Sequence, residues 1–127
     1  MNKIIKMEFN QYLELKENKN FIIEIQGGKI YTWKDYITQI EIKLRFPTSC
    51  IDSMDRYLDW MMDLSWIENR EITIVIKNSE KFSENNLELF EEIINDFKVS
   101  ILPFWKYEAE RVIVDGEKRN INVYLIN

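Results

Sequence analysis

Histidine is absent from the 127 residues of this chain, cysteine occurs once, proline twice and glycine three times. Without histidine there is no imidazole acid or base, and a lone thiol, Cys50, cannot assemble the common zinc and iron ligand sets. One cysteine also excludes an internal disulfide framework. As a nucleophile Cys50 would need an activating base other than histidine, so its expected role is a small apolar filler. No apolar run approaches membrane-spanning length, and Lys3, Lys6 and Glu8 interrupt the stretch where a secretion signal needs continuous hydrophobicity. The expectation is a cytoplasmic protein with no membrane contact. Basic residues are in deficit too: 17 Lys and Arg stand against 22 Asp and Glu, a net charge of -5. Such a surface is repelled by phosphate backbones and attracts cationic protein. Repeats and Pro/Gly/Ser-rich linkers are also missing, which predicts one domain over residues 1–127 with a core drawn from 46% hydrophobic residues.

Periodicity supplies the elements. Phe21, Ile23 and Ile25 alternate along a strand-like run closed by Gly27-Gly28. A helix follows from about Thr32, an N-cap with Asp35 three residues on, carrying Trp33, Tyr36, Ile37, Ile40 and Leu44 at helical spacing until Phe46-Pro47. A second helix is expected from about Ser53 to Leu64. The nearly continuous β-branched run in Glu71–Lys77 predicts a strand buried on both faces. Ser83 is placed as the cap of a helix reaching Phe97 through Leu87, Phe90 and Ile94. Val99–Trp105 reads as an edge strand or bulge because of Pro103. Arg111–Val114 and Ile121–Ile126 flank Asp115-Gly116 as a C-terminal hairpin. The order predicts an α/β layer architecture with at least part of the sheet parallel.

The stretch IDSMDRYLDWMMDLSW places Asp52, Asp55, Asp59 and Asp63 within an arc of roughly 80° on a helix turning about 100° per residue. Met54, Tyr57, Leu58, Met61 and Leu64 lie roughly opposite, so core burial would point the acids outward. A solvated face accounts for part of this pattern, with Asp52 as N-cap, Asp55 favoured by the helix dipole and Arg56 neutralising its neighbours. It does not account for Asp59 or Asp63, since a carboxylate near a helix C-terminus meets an unfavourable dipole. A glycosidase-like carboxylate pair needs a concave, desolvated setting that a convex helix face does not offer, and the spacing matches no calcium loop. No cofactor or metal is expected, and no enzymatic activity. Recognition of a basic protein surface makes use of the whole face.

FIIEIQGGKI, a helix, FP, a short loop and then MDRYLDWMMDLSW together resemble the barstar family of ribonuclease inhibitors and immunity proteins. The similarity spans roughly residues 21 to 97. It implies a barstar-like fold, a small mainly parallel sheet packed with helices, to which residues 1–20 would be an N-terminal extension and 106–127 an added hairpin region. It also implies that Asp55 and Asp59 enter the active site of a cationic nuclease toxin at phosphate-binding positions. Glu92 falls where the family places a further interface carboxylate, and Leu58 and Met62 at interface-facing helix positions; as plain residues these read equally as solvated charge and core packing. The implied assembly is a monomer in a 1:1 complex with the toxin. A non-inhibitory interaction module using the same acidic helix is the alternative.

The sequence departs from the family pattern in the loop Thr48-Ser49-Cys50-Ile51-Asp52-Ser53, which lacks the usual glycine, asparagine and aromatic. Ser49 and Ile51 stand where that loop would meet the partner's rim, and Arg56 replaces a usual small residue. Trp33, Trp60, Trp66 and Trp105 are large enough to anchor an interface and are read mostly as core.

Overall fold

A computed structural model describes residues 2–17, 21–108 and 119–127. Strand β1 (Lys3–Lys6) leads to helix α1 (Phe9–Glu17), then strand β2 (Phe21–Gln26) and helix α2 (Trp33–Lys43). Helix α3 (Met54–Met61), strand β3 (Glu71–Lys77), helices α4 (Ser79–Asn85) and α5 (Leu87–Asp96) and strand β4 (Asn120–Leu125) complete the regular elements. The four strands form one all-parallel sheet in the order β1-β4-β3-β2.

Register divides the side chains between two faces. The row Ile4, Val123, Ile74, Ile23 faces the main core with Tyr36, Ile37 and Ile40 of α2, Tyr57 and Met61 of α3, and Ile93 of α5. The adjacent row places Val75 and Tyr124 on the opposite face, in a second cluster with Tyr12 of α1 and Ile126. Five consecutive residues of β3 are buried, as its near-continuous apolar run predicts for a central parallel strand. Within residues 2–17, β1 extends the sheet and α1 covers its second face.

The helix at Trp33 starts as expected. Thr32 accepts a hydrogen bond from the Asp35 amide, and the Asp35 carboxylate accepts from Tyr31 and Thr32, which lowers its pKa. It ends in a left-handed Arg45, φ 55°, with the Phe46 amide donating back to the Glu41 carbonyl.

Two expected elements are corrected. Ser83 lies inside α4; the cap of α5 is Asn86, whose side chain accepts from the Leu89 amide. Val99–Trp105 is helical: two π-helical turns, Phe97–Ile101 and Phe104–Glu108, flank Leu102-Pro103. A wide turn tolerates a proline that contributes no amide donor, and apolar burial of Ile101, Leu102, Phe104 and Trp105 needs a helical face here rather than an edge strand. Of the expected hairpin, residues 111–118 lie outside the described residues. Its second arm is β4, a central strand with β1 on one edge and β3 on the other.

Candidate protein-partner interface

Helix α3 carries the acidic residues, and its ends are set by two local competitions. Ser53, extended at φ -150°, is the N-cap and accepts from the Arg56 amide at 3.1 Å. Only one residue can hold that position, so Asp52 is displaced into the preceding turn. At the other end Met62 is the C-cap and Leu64 is left-handed and buried, φ 53°. Asp63 therefore lies beyond the helix, its Oδ1 accepting from the Ser65 amide at 3.2 Å. The four-acid helix face thus reduces to Asp55 and Asp59 on α3, both exposed and one turn apart, with Asp52 and Asp63 in the flanking turns. Asp55 and Asp59 have no ion-pair partner among the described residues, whereas Asp52 is paired with Arg56 at 3.2 Å. Leu58 and Met62 are half-buried against the core.

The loop before α3 is held by side chains from α2 and α3. The Glu41 carboxylate accepts from the Ser49 hydroxyl at 2.8 Å and from the Cys50 amide. Arg56 Nη1 donates to the Ser49 carbonyl at 2.9 Å and to Asp52 at 3.2 Å. Trp33 Nε1 donates to the Ile51 carbonyl at 3.0 Å and Trp60 Nε1 to Thr48 Oγ1 at 3.0 Å. Trp66 Nε1 reaches the Leu44 carbonyl at 2.8 Å, and Trp105 Nε1 the Met61 carbonyl at 2.8 Å. Of the four tryptophans only Trp105 is fully buried; the other three are half-buried and pack on the core. Each indole fixes a backbone or hydroxyl group in α3 or the loops beside it, so the acidic helix is presented on a pre-organised support. Ser49 and Ile51 remain exposed on this support.

Cys50 is buried, and its thiol is pushed up to about 11 by burial first and then by Glu41, Asp52 and Asp59, with Arg56 opposing. The thiol is inert, and the same shift locates three carboxylates around one loop. Beneath α3, the Tyr36 and Tyr57 hydroxyls hydrogen-bond at 2.7 Å, both fully buried. Burial raises the pKa of both and the field of Asp96 of α5 adds to it; one of the Asp96 oxygens, Oδ2, is buried without a hydrogen-bond partner among the described residues. Asp96 is itself raised, by burial and then by Glu92, which is exposed one turn earlier on α5. Glu92 thus acts on Asp96, whose field reaches Tyr57 of α3.

Sequence reasoning missed Glu41, Asp96 and the tryptophan bracing. Glu41 and Asp96 have the spacing of ordinary helix-surface acids, and only the packing of α2 and α5 beside the loop and α3 distinguishes them. Among the described residues no group of His, Cys, Asp and Glu could hold a metal ion. No helix there is long and apolar enough to cross a membrane.

A family model described as Barstar (barnase inhibitor) matches residues 20–121. The chain belongs to the barstar family. The match takes in the loop before α3, α3 and α5 and ends at the first residues of β4, while β1 and α1 precede it. Proteins of this family are inhibitors rather than enzymes, and membership implies a ribonuclease-inhibitor type of function in general, with a nuclease as protein partner. Among curated proteins and solved structures, none matches the chain.

Proposed function

We propose that this chain is the immunity protein of a basic ribonuclease toxin, folding as one domain and inserting α3 into the toxin's active site in the cytoplasm of the cell that makes both. The observation that carries this reading is the pair Asp55 and Asp59: exposed, unpaired among the described residues and set on a braced helix within a barstar-family chain. Two carboxylates one turn apart can occupy the positions of successive substrate phosphates, so inhibition is by occlusion in a 1:1 complex. Glu92 and the half-buried Leu58 and Met62 extend the contact, with Asp52 and Asp63 adding field rather than direct bonds. Ser49 and Ile51 meet the rim of the cleft.

The test is a pull-down with the product of the neighbouring gene, followed by an inhibition assay against it as a cationic nuclease. Asp59→Ala should leave association nearly unchanged, speed dissociation and cost at least about 2 kcal/mol, because the partner's desolvated cation loses its counter-charge. That figure is carried over from the family's prototype pair. Wild-type binding by both Asp59→Ala and Asp55→Ala would move the interface off α3.

A further inference from the structure

We propose that the outer edge of β2 is a docking site for an extended, acidic segment of a protein partner, which adds to the sheet as a further strand. β2 is one edge of the sheet, its inner side paired with β3 along its whole length. An edge strand turns a row of main-chain N–H and C=O groups outward. Which residues of β2 do so is fixed by Gln39 of α2, whose side-chain amide accepts from the Gln26 amide at 2.7 Å and donates to the Gln26 carbonyl at 3.2 Å. A neighbouring strand would make the same two bonds, so Gln26 faces the free edge. Along a strand the N–H and C=O of one residue point to the same side, and the side alternates from residue to residue. Glu24 and Ile22 therefore face the edge that Gln39 covers only at Gln26. Among the described residues Ile22 has no hydrogen-bond partner on that side.

A groove of about 450 Å³ follows this edge, lined by Phe21, Ile22, Ile23, Glu24, Lys43 and Arg45. The Glu24 carboxylate is turned to the second face, bonded to the Tyr12 hydroxyl and paired with Lys77 at 3.2 Å, which leaves Lys43 and Arg45 to set the charge of the groove. Both are exposed and have no ion-pair partner among the described residues. A cation in the last turn of a helix is ordinary, and Lys43 alone would carry nothing. Arg45 is different. It holds the left-handed conformation, φ 55°, at which a helix usually ends in glycine, and its guanidinium lies 5.9 Å from the centroid of the Phe21 ring beside the groove. Glycine would make this turn with less strain but would leave the groove without its guanidinium. Charges that guard an edge against aggregation sit on the edge strand itself. These two come from α2 and the turn that ends it, and they frame the edge instead.

Main-chain bonds to a sheet edge hold any extended segment, and side chains beside the edge select which one. Arg45 and Lys43 select carboxylates, the planar guanidinium being able to take one by two parallel hydrogen bonds. A second copy of this chain would bring the same two cations to the edge, and like charge opposes that pairing. The groove shares no residue with α3 or the loop before it, so this contact is separate from the one proposed for the nuclease.

The experiment titrates the full chain with a short capped peptide alternating glutamate and valine and, separately, with one alternating lysine and valine, at constant ionic strength. Backbone-amide NMR reads the response. Saturable binding of the acidic peptide is expected, with shifts confined to β2 and the end of α2 and with the Ile22 amide newly protected from hydrogen exchange. Lys43→Gln/Arg45→Gly should weaken it at least about tenfold while the melting temperature holds or rises, because glycine relaxes the left-handed turn. Lys98→Gln, outside the groove, should leave binding unchanged. The acidic peptide with every backbone nitrogen methylated should not bind, since it keeps its charge but cannot donate to the edge. A response that never saturates, equal binding of the lysine peptide, undiminished binding in the double variant or of the methylated peptide, or dimerisation of the chain through this edge without peptide overturns the proposal.

Discussion

Asp96 shows how one buried oxygen links stability to pH. Its carboxyl is raised by burial and by Glu92, and the groups facing it across the helix layer are the Tyr36 and Tyr57 hydroxyls of α2 and α3. Because the folded state holds this proton more tightly than the unfolded chain, its contribution to stability is present in acid and lost as pH rises through the folded pKa. Asp96→Asn removes the charge at nearly constant shape. Its melting temperature should exceed that of wild type at pH 8, and the gap should close toward pH 3.5, where both side chains are neutral. Thermal denaturation across that range checks it; a gap independent of pH would mean that Asp96 finds a partner for its charge.

At the scale of elements, the loop before α3 and the helix itself behave as one braced unit. Barnase, the enzyme for which the family is described, sets a comparison. The exposed Ile51 is β-branched and Ser49 is engaged with Glu41, where the family pattern has a flexible glycine and a stacking aromatic. Clashes and unmatched charge discriminate between related partners as strongly as new attraction does. Inhibition of barnase should therefore be weaker than inhibition of the cognate toxin by at least about 4 kcal/mol, roughly a thousandfold. Ile51→Gly with Ser49→Tyr should recover part of that difference. The recovery should be incomplete, since the tyrosine forfeits the Ser49 hydrogen bond to Glu41. Equal inhibition constants for the two nucleases would remove the loop from specificity.

For the whole molecule, two properties follow from charge and layering. The net charge of -5, with Asp55 and Asp59 exposed together, should steer a cationic partner. Stopped-flow association should slow steeply from low to physiological salt, where screening shortens the field to about 8 Å. A rate independent of ionic strength would point instead to an apolar interface. The second property is the role of β1 and α1. Tyr12 is buried against Val75, Tyr124 and Ile126, and its hydroxyl donates to Glu24, which also pairs with Lys77 at 3.2 Å. That setting raises the Tyr12 pKa to about 12, chiefly through burial. Deleting residues 2–17 uncovers this face and should lower unfolding free energy by at least about 2 kcal/mol, the worth of one fully buried large side chain. Urea denaturation measures it; an unchanged midpoint would show that the part matching the family model is self-sufficient.

Local chemistry makes much of the protein legible in its sequence. The alternation in Phe21–Gln26 and the β-branched run in Glu71–Lys77 specify strands, the second of them covered on both faces, and Thr32 with Asp35 specifies a capped helix. Asp55 and Asp59 face outward because Tyr57 and Met61 claim the opposite side of α3. Each of these depends on residues within a few positions of one another. What local spacing does not resolve depends on distant packing or on competition. Ser53 displaces Asp52 as cap, and the turn at Leu64 takes Asp63 off the helix, although helical periodicity alone keeps all four acids together. The helical path of 97–108 follows from the burial of Trp105 and the hydrogen bond from its indole to Met61, 44 residues away in sequence. Strand β4 is central because β1, more than a hundred residues earlier, pairs with its far edge. Glu41 and the tryptophans brace the loop before α3 only because α2 and α3 pack side by side; hydrogen-bond partners chosen across a tertiary contact leave no period in the sequence.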